Sequence, residues 1–239
     1  MRTILQNIHK FLAQANEIFF NEADFQQRLA LYLEQTGQYK KIFLEYFVPN
    51  AHVLCPQNRW KNDMHIDIVV LTKKGEYVPI ELKYKTKQVN TNFYVFDDTK
   101  NPPISPVKHI GANNEGCYDF WKDVCRIEIL KSTYSKVVGG FAIFLTNDAL
   151  YWNGPSTLNV QYAEFSMKND PAPKGTSRWW LDKTGKRTSH RFFDKNGNPH
   201  DSRPSFDLNC QYATVWDPTT LCLNGNGVAP AFQYCLVQI

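Results

Sequence analysis

The segment from Asn62 to Lys85 constrains the fold most strongly, because it places charged residues inside two otherwise apolar strands. The runs HIDIVVLT and YVPIELKY flank a polar Lys-Lys-Gly-Glu turn, and this pattern predicts a β-hairpin. Asp67 lies in the first run, while Glu81 and Lys83 share one face of the second. Charged groups are costly to bury unless they pair with each other or hold a metal ion. The pattern therefore indicates a functional site on the hairpin.

The register of this hairpin decides whether the charged residues meet. Asp67 lies beside Glu81 only if the numbers of paired residues sum to an even value, since a one-residue slip turns every side chain to the other face. A two-residue turn at Lys74 and Gly75 would give an odd sum. A three-residue loop, or a bulge with Gly75 at positive φ, gives an even sum, and we expect this longer loop. Strict alternation also predicts that Ile66 and Ile68 share one face.

The segments around the hairpin predict an α/β protein with a mixed sheet. Apolar spacing indicates a helix over 3–20 and a second helix that Asn21 caps and that ends near Gln35. The run 41–48 reads as a strand that forms an antiparallel meander with the hairpin. A helix over 115–131 and a buried strand over 137–146 complete a βαβ unit, so this last strand is expected to run parallel to the Glu81 strand.

The segments 89–114 and 151–239 show weaker sequence patterns. Residues 89–114 lack periodicity, and a functional lid and an inserted loop are equally good explanations. We place a boundary at residue 150 and expect a β-rich extension over 151–239 that packs on the core. Its predicted strands are 158–165 and 232–239, and Lys195 to Asn198 predicts the turn of a small hairpin. Trp179 and Trp180 fit either a core or a stacking surface.

Composition narrows the class of protein. The 239 residues are 43% hydrophobic, which suffices for a packed core, and no apolar run approaches the length of a membrane span. The amino terminus does not read as a signal peptide, so we expect a cytoplasmic protein. The six scattered cysteines are expected to be reduced. Of the net charge of +4, residues 174–195 carry a local excess of basic groups, which permits a polyanionic partner.

Two carboxylates and a nearby lysine fit a definite chemical task. Mg²⁺ prefers carboxylate oxygens and retains several waters, so Asp67, Glu81 and one backbone carbonyl would suffice to hold it. A bound metal ion acidifies water and neutralises charge on a phosphate. Lys83 could orient that water or stabilise the transition state. The competing interpretation is a structural salt bridge between Lys83 and one of the carboxylates.

With these residues the sequence resembles the PD-(D/E)xK nuclease superfamily. Asp67 matches the first acidic residue of its motif, and Ile80-Glu81-Leu82-Lys83 matches the (D/E)xK strand. The resemblance covers roughly residues 20–150 and implies a restriction-endonuclease-like α-β-β-β-α-β core. It also implies that Asp67, Glu81 and the Leu82 carbonyl bind Mg²⁺, for which Mn²⁺ could substitute, that Lys83 is catalytic, and that Glu22 assists.

The resemblance implies a Mg²⁺-dependent phosphodiesterase of the restriction, repair or defence type, with DNA favoured over RNA. Candidate nucleic-acid contacts are the basic residues Lys85, Lys87, Arg126, Arg178, Arg187 and Arg191. Arg126 belongs to a polar stripe with Asp119, Lys122 and Asp123, and such a stripe is more often a solvated helix face. Two alternatives stay open: an inactive nucleic-acid-binding or protein-interaction module with the same fold, and a hydrolase of a small phosphorylated substrate. No membrane partner is expected, and a homodimer is compatible with the sequence.

Overall fold

A computed structural model describes residues 1–50, 63–89, 93–156, 160–200, 203–221 and 232–239. Within these ranges the helices are α1 (Arg2–Gln14), α2 (Glu22–Gln35), α3 (Asn113–Thr133) and the single turn α4 (Leu150–Asn153). The longer strands are β1 (Tyr39–Val48), β2 (Met64–Thr72), β3 (Tyr77–Lys85) and β4 (Phe141–Thr146). The carboxy-terminal region adds β5 (Asp170–Lys174), β6 (Ser177–Arg178), β7 (Trp180–Leu181), β8 (Arg187–Thr188), β9 (Phe206–Asp207), β10 (Tyr212–Thr214), β11 (Trp216–Pro218) and β12 (Gln233–Gln238).

A six-stranded mixed sheet with the order β1-β2-β3-β4-β12-β11 organises the fold. The meander of β1, β2 and β3 is antiparallel, and β4 runs parallel to β3, as the sequence predicts. The predicted terminal strand is β12, which pairs antiparallel with β4. The α/β class with a mixed sheet is therefore confirmed, and β3 lies inside the sheet with a neighbour on each side.

The hairpin has the even register that the site requires. Ile68 lies opposite Ile80, and Val70 lies opposite Val78. The loop contains three residues, because the Thr72 amide donates to the Glu76 carbonyl at 2.8 Å and Gly75 adopts φ 82°. The predicted long loop is confirmed. Only a residue without Cβ adopts this conformation at little cost.

The alternation of β2 changes at Asp67. Ile68 and Val70 are buried on the face that α1 and α2 cover, whereas Ile66 packs with Val69 on the face that α3 covers. The prediction that Ile66 and Ile68 share a face is therefore wrong. On the neighbouring strand Glu45 has φ 48°, so both strands depart from regular geometry at the same level. The irregularity lies at the proposed site and re-aims the Asp67 side chain.

Helices cover the sheet on both sides. Helix α2 begins where predicted, with the Asn21 side chain accepting a hydrogen bond from the Asp24 amide, and it buries Phe25 and Leu29 completely. Complete burial of such side chains stabilises the fold by about 1.5–3 kcal/mol each. On the other side α3 shares one apolar core with the segment after residue 150, including Phe165 and Trp180.

The carboxy-terminal region differs in part from its prediction. Within residues 160–165 the expected strand is absent, and Ala163–Phe165 forms a 3₁₀ turn; residues 158 and 159 lie outside the described residues. The predicted turn after Asp194 is present, because the Gly197 amide donates to the Asp194 carbonyl. None of the helices in the described ranges is long and apolar enough to cross a membrane.

Candidate active site

The site begins where β2 and β3 separate. The ladder of paired residues ends with Ile68 opposite Ile80, and beyond it the Leu82 amide donates to Oδ2 of Asp67 at 2.6 Å. Two residues further along β3, the Tyr84 amide donates to Oε2 of Glu22 at 2.7 Å. Carboxylates thus take the place of a neighbouring strand along this part of β3. This substitution fixes Asp67 and Glu22 beside the Glu81–Lys83 segment.

Lys83 carries the ammonium group at the centre of the site. Its Nζ lies 2.8 Å from Oδ2 of Asp123 on α3 and donates to the Leu82 carbonyl at 2.9 Å. Oε1 of Glu22 lies 4.0 Å away. The resemblance implies that the Leu82 carbonyl oxygen binds the metal ion. In this conformation the same oxygen accepts the hydrogen bond from Lys83.

Glu81 is 2% exposed and pairs with Arg126 of α3. The Arg126 Nη1 atom lies 3.3 Å from Oε1 of Glu81 and 3.3 Å from Oδ1 of Asp123. No group in the described ranges hydrogen-bonds Oε1 of Glu81 with proper geometry, and the same holds for Oδ2 of Asp123. The site therefore contains two buried carboxylate oxygens that only ion pairs compensate.

A second layer of contacts holds the β2 side of the site. The Gln26 side-chain amide donates to the Asp67 carbonyl at 2.6 Å and to Oε1 of Glu45 at 2.7 Å. Glu45 is exposed on the edge strand β1. Among the described residues, Gln26 links Glu45 to the site.

Burial and crowding of like charges shift the pKa values of the carboxyl groups. Burial raises the pKa of Asp67 to about 6, although Lys83 opposes the shift. Burial also raises the pKa of Glu81 well above its ordinary value, against the attraction of Arg126. Burial would raise the pKa of Asp123 too, but Lys83 and Arg126 outweigh it and lower that pKa. Lys83 and Arg126 therefore stabilise the negative charge of Asp123 more than the negative charges of Asp67 and Glu81.

The carboxylates of the site are of the ligand type that a hard divalent cation prefers. Within the described ranges no three His, Cys, Asp or Glu side chains are arranged to hold a metal ion. However, Mg²⁺ needs only one or two carboxylates with waters, and Asp67 and Glu81 supply hard oxygen ligands. Four carboxylates share two cationic side chains here, so the fully ionised cluster carries a net charge of −2. A divalent cation would balance that charge and lower the pKa values of Asp67 and Glu81.

Four of the six predicted nucleic-acid contacts pair with acidic side chains. Lys85 is half-buried on the strand face of Lys83 and has no ion-pair partner among the described residues, while Lys87 pairs with Asp148 at 2.8 Å. Arg187 pairs with Glu164 at 2.6 Å and Arg191 with Glu115 at 2.8 Å.

Arg178 is buried, so its prediction as a nucleic-acid contact is wrong. It is 1% exposed, its guanidinium lies 3.8 Å from the Trp121 ring centroid, and it donates to the carbonyls of Gly175 and Ser177. A side chain in the interior cannot contact a phosphate on the surface. Arg126 is likewise placed inside the site, beside Glu81, and not on a solvated helix face.

Asp123 is the site residue that sequence reasoning assigned to a solvated stripe. It is 2% exposed, because α3 is buried on several sides by the sheet and the carboxy-terminal region. The available signal was its spacing: Asp123 and Arg126 are three residues apart and so lie on the same side of the helix. That signal does not tell a site from a solvated ion pair.

The sequence matches no protein-family model and no curated protein, and the fold matches no solved structure. The inference of function therefore depends on the residues themselves.

Proposed function

We propose that the protein is a Mg²⁺-dependent phosphodiesterase with a restriction-endonuclease-like core that cleaves nucleic acid, with DNA favoured over RNA. One observation carries the proposal: Asp67, Glu81, Lys83 and Glu22 come from three separate elements and meet where β2 and β3 separate. The order of helix, three antiparallel strands, helix and parallel strand supports the same assignment.

Each residue has a task that its position suits. Asp67 and Glu81 would hold the metal ion, together with the Leu82 carbonyl once Lys83 releases it. A bound divalent cation supplies Lewis acidity, which activates water and offsets charge on the phosphate. Lys83 places a fixed positive charge beside the phosphate, where negative charge develops in the transition state. Asp123 orients Lys83, and Glu22 adds a carboxylate at the mouth of the site.

A specific observation favours a second candidate, an inactive binding module with the same fold. Lys83 and Arg126 already pair with the acidic residues, and Lys83 occupies the Leu82 carbonyl. If these ion pairs persist when divalent metal is supplied, the cluster is a structural network. Burial raises the pKa values of Asp67 and Glu81 in either case, so binding of a divalent metal ion distinguishes the two candidates.

Cleavage assays with matched variants test the proposal. Plasmid DNA, single-stranded DNA and RNA are incubated with Mg²⁺ or Mn²⁺, and products are resolved on gels. Glu81→Gln and Lys83→Met should each lower the cleavage rate by at least about 100-fold, the range that charge stabilisation supplies. The controls are Glu34→Gln and Lys73→Met, two exposed residues without ion pairs among the described residues. Full activity in both site variants, or no metal-dependent cleavage by the wild type, would refute the proposal.

A further inference from the structure

A groove of about 530 Å³ opens beside the candidate active site, and its size falls in the range of small-molecule sites. It lies between the sheet and the carboxy-terminal end of α3. Its principal lining residues are Tyr46 and Phe47 of β1, Tyr77 and Pro79 of β3, and Tyr134 and Lys136 after α3. The proposed function assigns no role to this groove.

Three lining residues of the groove lie close in sequence to residues of the site. On β3 Pro79 lies two residues before Glu81, about 7 Å along the strand. On α3 Leu130 lies one turn beyond Arg126, about 6 Å along the helix. On β2 the lining residue Ile66 directly precedes Asp67. A ligand anchored at Glu81 and Lys83 could therefore reach the groove past the Arg126 side chain, which donates to the His65 carbonyl.

The lining combines aromatic rings with tyrosine hydroxyl groups. The Tyr46 and Tyr77 ring centroids lie 6.3 Å apart, and Tyr134 approaches from the helix side. Among the described residues none of these three tyrosine hydroxyls has a hydrogen-bond partner. Lys136 is exposed at the rim of the groove, and none of the residues that the structure describes forms an ion pair with it. Aromatic rings can stack on the face of a nucleobase, and hydroxyl groups can hydrogen-bond to its edge. The ammonium group of Lys136 can pair with a phosphate of the nucleotide.

We propose that this groove binds one unpaired nucleobase next to the scissile phosphate, so that the substrate is single-stranded or locally unpaired nucleic acid. The inference rests on the proposed function, because the phosphate at Glu81 and Lys83 sets the distance to the base. In a duplex, bases are paired and stacked, and a base reaches such a pocket only after it leaves the stack. An apolar peptide would leave the three hydroxyls and Lys136 without a role.

Fluorescence of a 12-nucleotide single-stranded DNA with 2-aminopurine at successive positions tests the inference, in EDTA so that no cleavage occurs. Binding of the wild-type protein should quench 2-aminopurine fluorescence at one position and not at the others. A fully paired duplex should bind at least about tenfold more weakly than the single strand. Tyr134→Leu and Tyr46→Leu should each weaken quenching at that position about tenfold, as expected for loss of one stacking ring. The matched control is Phe192→Leu, an exposed aromatic residue outside the groove.

Two binding results would overturn the inference. One is position-independent quenching that is identical in the wild type and in folded Tyr134→Leu. The other is concentration-dependent dimerisation that Tyr134→Leu abolishes, which would assign the groove to a second copy of the chain. Failure of the proposed function gives a different result: selective quenching persists while no nucleic acid is cleaved with Mg²⁺. If cleavage occurs equally on duplex and single strands and is unchanged in Tyr134→Leu, the function stands and the base pocket does not.

Discussion

Lys83 Nζ lies 2.8 Å from Oδ2 of Asp123, and the Asp123 side chain is 2% exposed. The two residues come from β3 and α3, so their ion pair joins the sheet to the helix that covers it. Burial would lower the pKa of Lys83, but Asp123 and three further carboxylates outweigh burial and raise it. The lysine is therefore held in its charged form beside the proposed metal ligands.

Asp123→Asn should lower the free energy of unfolding by about 3 kcal/mol, because it leaves buried Lys83 and Arg126 without their shared partner. Urea unfolding at pH 7 measures the change. Glu34→Gln, the same acid-to-amide change on an exposed part of α2, should stay within about 0.5 kcal/mol of the wild type. Equal urea midpoints for Asp123→Asn and the wild type would show that the ion pair contributes nothing to stability.

The proposed metal ligand Asp67 should make the metal-free protein less stable as pH rises. Burial raises the pKa of Asp67 from its ordinary value of 3.8 to about 6, so the native state binds more protons than the unfolded chain between these pH values. The contribution of Asp67 to the free energy of unfolding therefore falls as pH rises from about 4 to 6.

Asp67→Asn removes this titration but keeps an oxygen for the Leu82 amide. In EDTA at pH 7.5 the variant should be more stable than the wild type by on the order of 2 kcal/mol, and the difference should vanish near pH 4. Urea unfolding at several pH values measures it, with exposed Asp217→Asn as the control. A variant that is less stable than the wild type at pH 7.5 would contradict the burial penalty.

Gly75→Ala should lower the free energy of unfolding by about 1 kcal/mol through backbone strain. A Cβ at this position meets no atom within 4 Å, so φ 82° is the only cost. Gly175→Ala is the matched control, because a Cβ there also meets open space and its φ is not in the positive range. Thermal unfolding of the three proteins measures the difference. Equal destabilisation by both substitutions would show that the three-residue loop has no special backbone requirement.

The features of the fold that depend on local sequence were predictable. The Asn21 cap, the helices α2 and α3, and the even register of the hairpin follow from residue types and spacing within short segments. The register mattered most, because it brings Asp67 and Glu81 to the same place. The parallel pairing of β4 with β3 followed from the intervening helix.

The predictions that were wrong concern residues whose positions depend on long-range packing. Asp123 and Arg126 have the spacing of a solvated ion pair, and only the burial of α3 by the sheet and the carboxy-terminal region shows that they belong to the site. Arg178 lies in a basic segment but is placed against Trp121, more than 50 residues away in sequence. The irregularity at Asp67 depends on contacts with Gln26 and Leu82, which strand periodicity does not contain.

Asp67 and Glu81 are proposed to hold a divalent cation together. Crystals grown with Mn²⁺ and measured near the manganese absorption edge test it most directly. We expect an anomalous peak between the two carboxylates in the wild type, with Lys83 moved away from the Leu82 carbonyl, and no peak in Glu81→Gln. A wild-type map without a peak at this position, in crystals where the Lys83–Asp123 and Arg126–Glu81 pairs are intact, would contradict it.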